Sequence, residues 1–274
     1  MTDRALFGAI EPPRLHVMSY NIRRRMPHLN PRHPDRWYLR KRLLKRLLAT
    51  EQPALLGVQE ALFDQAEFVQ AALGADYAEI GYGRDRDRGG ERCPLFWDTT
   101  RLRLDTWDQH ALSDTPELSG STSWGNRDPR LYVTAQFTDL ATGARFLAVN
   151  THFDHRSPKA RLRSAAVLAR VAKESTLPVI VTGDFNSDAG SVAHRALLAD
   201  GVLCDSWLVA AERRSEPWGT FPNYRRPVLR RKRIDWILAS PTITVLAAAI
   251  NVRRFARRWP SDHAPVQAIL RLPG

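Results

Sequence analysis

The segment 178–188 joins an apolar, β-branched run to two side chains that could take part in hydrolysis. Its sequence, Pro-Val-Ile-Val-Thr-Gly-Asp-Phe-Asn-Ser-Asp, predicts a buried strand that ends near Gly183. Residues two apart on an extended chain share a face, so Asp184 and Asn186 should point to the same place while Phe185 enters the core. A carboxylate can orient or deprotonate water and an amide can hold an oxyanion, although Gly-Asp-Phe-Asn by itself is more typical of a plain turn.

A second polar cluster ends the strand-like segment 144–152. His152 and Asp154 lie two residues apart in it, so the carboxylate could orient the imidazole. A helix is predicted to begin directly after the cluster, at 157–174. A histidine at a strand end is often structural, and the density of titratable groups here leaves a catalytic role equally open.

Two strand-like segments near the amino terminus also end in polar side chains. Alternation over 15–22 predicts a strand that ends close to Asn21, and the apolar run 53–60 ends at Glu60. A predicted helix follows each of them, which gives the strand–helix order that is typical of α/β folds. We therefore expect the two strands to be neighbours and Glu60 to be a second candidate for the same site as Asp184.

The last third of the chain adds another acid and an Asp-His pair. The basic, proline-broken segment 219–233 could bind a polyanion, although runs of like charge are usually only solvated. It leads into a predicted strand whose first acid, Asp235, lies among apolar residues and needs a partner. Asp262 and His263 stand side by side before the final strand. A histidine that is bonded to Asp235 through one nitrogen would have a fixed tautomer, which suits a general acid or base.

The remaining pattern completes a predicted α/β domain. Apolar residues at helical spacing predict helices at 35–50, 64–73, 157–174 and 192–198. Further strands are predicted at 131–137, 144–152, 234–239 and 266–270, with two more between 93 and 110. The charged segment 81–90 should be a flexible surface loop, and the long loop 113–128 around Trp124 is a candidate for function because long loops in compact domains often are.

Composition predicts one domain. The 274 residues are 43% hydrophobic and 26% charged, and no long linker interrupts them. We therefore predict a single domain over 1–274, with residues 1–13 as a flexible N-terminal segment. The formal net charge is +12, and only 5 of the 41 basic residues are lysine. A surface rich in guanidinium groups favours phosphate-bearing partners, although an arginine bias can also reflect genome composition.

The sequence lacks the features of a secreted, membrane-spanning or disulfide-linked protein. No apolar run near the amino terminus resembles a signal peptide, and none elsewhere approaches the length of a membrane span. The two cysteines, Cys93 and Cys204, have no spacing typical of a zinc site or a disulfide framework. We predict a cytoplasmic monomer.

Six short motifs occur in a fixed order along nearly the whole chain. They are Ser-Tyr-Asn at 19–21, Val-Gln-Glu at 58–60, Asn-Thr-His at 150–152, Gly-Asp-Phe-Asn at 183–186, Arg-Ile-Asp at 233–235 and Ser-Asp-His at 261–263. Together they resemble the endonuclease/exonuclease/phosphatase superfamily, which includes DNase I-like nucleases and inositol polyphosphate phosphatases. Within it the chain looks most like a bacterial branch whose substrates are not established.

The resemblance implies a fold and a metal site. The fold would be a four-layer α/β/β/α sandwich of two packed mixed sheets with helices outside, and the site would lie where the strand ends meet. Glu60 resembles the principal metal-binding carboxylate of the family, with Asn21 and Asp262 close to the ion. Hard oxygen ligands of this kind suit Mg²⁺ or Mn²⁺.

The resemblance also implies catalytic and phosphate-binding roles. Asp184 and Asn186 would flank the attacking water and the phosphoryl oxygen, and Asp235 would hold His263. His152 and Arg130 resemble residues that contact the phosphate. The implied catalytic set is His152, Asp184, Asn186, Asp235 and His263, and the implied phosphate-binding set is Arg130, His152 and Asn186.

The predicted activity is Mg²⁺-dependent hydrolysis of a phosphodiester or a phosphomonoester by attack of water. The enzyme would be a nuclease, a phosphodiesterase or a phosphatase, and its partner would be a phosphorylated substrate, with nucleic acid among the candidates. The alternative is a catalytically degenerate module that binds nucleic acid or phospholipid through its arginine-rich surface.

Overall fold

Two β-sheets form the centre of the protein in the computed structural model, which describes residues 4–274. The strands are β1 (Arg14–Asn21), β2 (Leu55–Gln59), β3 (Tyr77–Ile80), β4 (Leu95–Asp98), β5 (Leu102–Ala111), β6 (Leu131–Asp139), β7 (Arg145–His152), β8 (Val179–Asp184), β9 (Cys204–Asp205), β10 (Glu212–Arg213), β11 (Asp235–Ala239), β12 (Thr244–Ile250) and β13 (Val266–Arg271). The helices are α1 (Trp37–Glu51), α2 (Phe63–Leu73), α3 (Pro158–Glu174), α4 (Val192–Leu198) and α5 (Ser206–Val209).

Both sheets are mixed. The first has seven strands in the order β10-β12-β13-β1-β2-β4-β3, and the second has six in the order β5-β6-β7-β8-β11-β9. Within them β1 pairs with β2, and β7 with β8, in parallel, while β13 and β11 add antiparallel partners. The expected pairing of β1 with β2 is present, and β6 and β7 form an antiparallel hairpin.

Alternation along β1 shows how the layers are built. Val17 points into the core between the two sheets, whereas Met18 faces the layer that contains Leu47 of α1 and Val69 of α2. On the far side, Leu168 of α3 packs in the layer behind the second sheet. The order is therefore helix, sheet, sheet, helix, and the predicted four-layer α/β sandwich is confirmed.

Three strands of the first sheet, β3, β10 and β12, were not predicted from the sequence. β3 has only four residues, and β12 contains three consecutive alanines, a residue type with little preference for strands. β3 and β12 are held in the sheet by antiparallel pairing with β4 and β13. Their pairing is therefore decided by tertiary contacts and not by local pattern.

The predicted N-terminal segment 1–13 is only partly described. Residues 1–3 lie outside the described residues. Farther along, the Glu51 carboxylate accepts the backbone N–H groups of Leu6 and Phe7 at 2.8 and 3.1 Å. These bonds attach this part of the segment to the carboxyl end of α1. No helix in residues 4–274 is long and apolar enough to cross a membrane.

Candidate active site

Five strand ends and one loop bring the candidate residues together. In the second sheet Asp184 pairs with His152 on one side and with Asp235 on the other, so three chemical groups share one row at the edge of the sheet. In the first sheet β1 and β2 end side by side at Asn21 and immediately before Glu60. The loop 261–263 supplies the remaining candidates. The row arises because the parallel strand β7 ends, and the antiparallel strand β11 begins, in register with the end of β8.

Asn150 fixes the two sheets to each other beneath these strand ends. Its side-chain amide donates to the backbone carbonyls of Val58 at 2.8 Å and Pro94 at 3.0 Å in the first sheet. Its oxygen accepts from Gln59 and from Thr182. Because Asn150 lies two residues before His152, and Val58 two residues before Glu60, this contact sets the distance between side chains that come from different sheets.

Backbone conformation turns two of the candidates away from the regular path of their strands. Glu60 has a φ of 61° and Asn186 a φ of 48°, both in the left-handed region. Asparagine tolerates this region, whereas a glutamate there is uncommon and is more often found at functional sites. The turn at Glu60 directs its carboxylate towards the second sheet.

Asn21 connects the carboxylates of the two sheets. Its Nδ2 donates to Glu60 Oε1 at 3.0 Å and to Asp184 Oδ2 at 2.9 Å, and its Oδ1 accepts from the backbone N–H of Arg23 at 2.9 Å. The amide nitrogen, and not the oxygen, therefore faces the acids. Asn21 holds the carboxylates in position here, and its predicted place next to a metal ion stays a prediction.

His263 lies between two buried acids. Its Nδ1 is 3.0 Å from Asp235 Oδ2, and its Nε2 is 3.7 Å from Asp184 Oδ2. Burial would lower the pKa of His263, but the charges of Asp235 and Asp184 outweigh it and raise the pKa well above the usual value. The side chain is therefore held as an imidazolium, with Nε2 directed at the centre of the site.

The buried acids outnumber their close cationic partners. Burial and the charge of Asp235 raise the pKa of Asp184 to about 7. Burial also raises the pKa of Asp262. Burial acts in the same direction on Glu60, but the hydrogen bond from Asn21 and the charges of nearby cations hold the pKa of Glu60 below its usual value. A bound cation would relieve this accumulation of negative charge.

The donor atoms at the centre fit a hard divalent cation. Glu60, Asp184 and His263 each offer one ligand atom, and these atoms lie within 4.8 Å of one another. The carboxylate oxygens suit Mg²⁺ or Mn²⁺, while a protonated imidazole is a poor metal ligand. Asp262 is not in this group: its Oδ2 lies 3.6 Å from Arg23 Nε. The structure thus groups Glu60 with Asp184, as the sequence pattern predicts, while the ligand roles of Asn21 and Asp262 that the resemblance implies stay a prediction.

His152 and Asn186 form a pair next to the acids. Asn186 Nδ2 donates to His152 Nε2 and to the backbone carbonyl of Phe153, both at 3.0 Å. Burial and then the charges of Arg130 and Arg84 lower the pKa of His152 well below its usual value, so its ring is neutral and can accept this bond. Phe185 is buried between the two polar positions, as the alternation predicts.

Asp154 does not orient His152, so the sequence-based pairing of these two residues is wrong. The Asp154 carboxylate instead accepts the backbone N–H groups of Arg156 and Ser157 at 2.9 and 2.6 Å. These residues lead into α3, and an acid at this place satisfies free N–H groups that precede the helix. Spacing of two along the chain does not bring the side chains together because β7 ends at His152.

Arg130 is a buried cation with free donors. It is 5% exposed, and its Nη2 donates to His155 Nδ1 at 3.0 Å. Its Nε lies 3.6 Å from Asp154 Oδ2. Among the described residues, neither Nε nor Nη1 has a hydrogen-bond partner. Buried guanidinium nitrogens without partners are costly, and an anion that enters the site would satisfy them.

Most of the candidate side chains border one cavity of about 420 Å³. Its lining includes the predicted residues Glu60, Arg130, His152, Asp184, Asn186, Asp262 and His263. Asn21 and Asp235 do not line the cavity. Asn21 donates to Glu60 and Asp184, and Asp235 bonds to His263, and these three partners do line it. Carboxylates and arginines thus face the same cavity, which can hold a cation and an anion side by side.

The sequence of this chain also matches a known family. The profile of the Endonuclease/Exonuclease/phosphatase family aligns with residues 18–263, which include all six motifs. The chain belongs to this family. None of the curated proteins matches the chain in sequence.

Solved structures agree with the family. An endonuclease/exonuclease/phosphatase family protein from Bacteroides thetaiotaomicron is 32% identical over 97% of this chain and 100% of its own, with a TM-score of 0.88. A mannosyl-6-phosphatase from Bacteroides thetaiotaomicron VPI-5482 is 31% identical over 93% and 99%, with a TM-score of 0.84. The human Nocturnin catalytic domain with bound sulfate is 20% identical over 94% of each chain, with a TM-score of 0.72, and shares the fold.

Several residues of the cavity were not predicted from the sequence. They are Arg23, Arg24, Arg84, Glu91, Asp128, His155 and Arg156. Arg84 belongs to the predicted surface loop 81–90, and its Nη1 donates to Glu91 at 2.7 Å. Glu91 also accepts from Arg24 at 3.1 Å. For Arg84 the signal in the sequence was the Arg-Asp-Arg-Asp-Arg run of this loop, which is equally typical of a solvated turn.

Replacement of Asp235 by asparagine tests its contact with His263. We expect Asp235→Asn to lower turnover roughly 10- to 100-fold, because a neutral partner no longer stabilises the imidazolium or fixes its orientation. The metal dependence of activity should change little, since Asp235 lies behind His263. Titration of activity with Mg²⁺ checks this. A large increase in the Mg²⁺ concentration needed for half-maximal activity would instead identify Asp235 as a ligand.

Proposed function

We propose that the protein is a metal-dependent phosphoester hydrolase that cleaves its substrate by attack of water on phosphorus. The observation that carries this proposal is the common cavity of Glu60, Asp184 and Arg130. Two carboxylates from different sheets approach each other through a shared contact with the Asn21 amide, and a buried arginine with unpartnered donors faces the same space. Metal-assisted hydrolysis of a phosphate ester needs both a cation site and an anion site.

Glu60 and Asp184 fit a hard cation best, with Asp262 and Asn21 at the edge of its site. A bound Mg²⁺ or Mn²⁺ would supply positive charge that offsets the negative charge of the phosphate and lowers its repulsion of nucleophiles. Asn21 would keep the two carboxylates apart at a fixed distance through its bonds to both. The predicted ligand roles of Asn21 and Asp262 remain part of the proposal.

The other side chains divide the remaining tasks. Asp184 would orient the water and accept its proton, and Asn186 would hold the water or a phosphoryl oxygen next to it. His263, kept as an imidazolium by Asp235, would donate to a phosphoryl oxygen. His152 and Arg130 would contact the remaining oxygens. Each positioned donor of this kind contributes on the order of 2–4 kcal/mol to stabilisation of the transition state.

Two substrate classes have support. The 31% identical mannosyl-6-phosphatase makes a phosphomonoester of a sugar one candidate. The net charge of +12 makes a polyanion such as nucleic acid the other. Both would place one phosphate in the cavity beside Arg130.

A panel of phosphate esters assayed with Mg²⁺ tests the proposal. The panel contains a single-stranded oligonucleotide, mononucleotides, mannose 6-phosphate, an inositol phosphate and a phospholipid head group. We expect hydrolysis of at least one ester and no hydrolysis by the Asp184→Asn variant of the same preparation. If the full chain binds these ligands but hydrolyses none with either Mg²⁺ or Mn²⁺, the degenerate binding module is the correct description.

A further inference from the structure

A second cavity of about 410 Å³ lies beside the first, under the basic segment 219–233. Phe221 lines both cavities and separates them. Its ring centroid is 4.8 Å from that of His263, and the side chain is 46% exposed. The two cavities therefore adjoin each other at Phe221.

Thr220 attaches the segment to the candidate active site. Thr220 Oγ1 accepts the N–H groups of Ile234 at 2.9 Å and of Asp235 at 3.1 Å. The carbonyl of Thr220 accepts from Ala264, the residue after His263, at 2.8 Å. The wall formed by Phe221 therefore keeps a defined position relative to Asp235 and His263.

The two sides of the segment touch at Gly219. A Cβ atom at this position would come within 2.6 Å of Arg231 Cβ, closer than such atoms approach. The N–H of Gly219 also donates to the carbonyl of Val228 at 3.1 Å. The basic segment is thus folded back on itself, and the cavity beneath it is a built feature.

The lining combines apolar surface with positive charge. Phe221, Pro222, Val228 and Ile234 supply apolar side chains, and the cations are Arg225, Arg226, Arg231 and Lys232. No acidic side chain is among the lining residues in the described part of the chain. An aromatic face with arginines around it is the usual combination for a nucleotide, because the base stacks on the ring and the phosphate contacts the guanidinium groups.

We propose that the second cavity binds the nucleotide next to the cleaved phosphate in a single-stranded oligonucleotide. This inference rests on the proposed phosphoester hydrolase activity and names its substrate class. A sugar phosphate with a single phosphate would fill the first cavity and leave the four cations without anions. A phospholipid with its phosphate in the first cavity would place acyl chains against the same cations.

Binding of labelled thymidine oligonucleotides tests this assignment. The measurement is fluorescence anisotropy with Mg²⁺ present, in an Asp184→Asn background so that cleavage does not interfere. We expect the trinucleotide to bind at least tenfold more tightly than the mononucleotide. Replacement of Arg226 and Arg231 together by glutamine should weaken trinucleotide binding about tenfold. It should also reduce the salt dependence of that binding by about 0.7 in log–log slope, from the one phosphate contact that is lost.

Arg230→Gln is the matched control. Arg230 is exposed in the same segment but does not line the cavity, so its replacement should leave trinucleotide affinity within twofold of the parent. Equal trinucleotide affinity in the double variant and the parent would overturn the assignment, as would equal losses in the double variant and the control. A preference of the protein for anionic phospholipid vesicles over the trinucleotide would overturn it too.

The two proposals can fail separately. If the panel shows phosphoester hydrolysis but the trinucleotide binds no better than the mononucleotide, the second cavity has been assigned wrongly and the hydrolase proposal stands. If the trinucleotide is preferred through Arg226 and Arg231 but no ester is hydrolysed, the cavity assignment stands and the hydrolase proposal fails.

Discussion

Removal of divalent cations with EDTA should reduce hydrolysis of the substrate to background, and addition of Mg²⁺ or Mn²⁺ should restore it. The reason is that the acids at the centre, Glu60, Asp184 and Asp262, outnumber the cationic groups close to them, while the substrate brings further negative charge. Without a cation, the carboxylates and the phosphate repel each other at close range. The measurement is the initial rate before chelation, after chelation and after each metal is returned.

Replacement of one carboxylate identifies the site of this cation. Glu60→Gln should raise the Mg²⁺ concentration that gives half-maximal activity at least about tenfold, because cation affinity depends on the number of charged oxygen ligands. Glu67→Gln, on the exposed side of α2, is the control and should leave the metal dependence unchanged. Activity that survives EDTA, or that returns only with Zn²⁺, would contradict the oxygen-ligand site.

Asp184→Asn and His263→Ala should each lower turnover by roughly 10²-fold or more, which corresponds to at least about 2.7 kcal/mol of lost transition-state stabilisation. An amide cannot accept the proton of the attacking water, and alanine removes the imidazolium that Asp235 holds towards the cavity. The fall should appear mainly in kcat, because both groups act on the reacting atoms. Steady-state kinetics on the substrate identified by the panel measures it.

Asp200, which is exposed, and His110, which is partly buried, serve as controls for charge and size. Asp200→Asn and His110→Ala replace the same residue types at places far from the cavity lining, and their rates should stay within twofold of the parent. Thermal unfolding of all four variants shows whether the fold is retained. An unchanged rate in Asp184→Asn or in His263→Ala would remove that residue from the proposed mechanism.

The sequence by itself determined most of the secondary structure and the fold. Helix α4 was predicted with the observed bounds, and α3 within one residue, because each carries a serine cap and apolar residues at helical spacing. The long strands were predicted from local alternation or from buried β-branched runs. Six motifs in order then identified the family, and the family profile confirms this over residues 18–263.

The sequence also placed Asp235 next to His263. A carboxylate at the start of an apolar strand needs a buried partner, and that requirement follows from residue type alone. Asp235 is 1% exposed and lies 3.0 Å from His263. This contact could be anticipated because burial restricts the possible partners of an acid to a few polar side chains.

Only the tertiary structure decided which side chains meet across the sheets. It paired Asp154 with the start of α3 and not with His152, brought Arg84 from a surface loop to the cavity, and fixed both sheets through Asn150. These contacts depend on where each strand ends and on the register between strands far apart in the chain. Residue spacing along one segment determines only in which direction the side chains of that segment point. The end of each strand and its register with distant strands depend on packing of the whole core, so local pattern does not predict them.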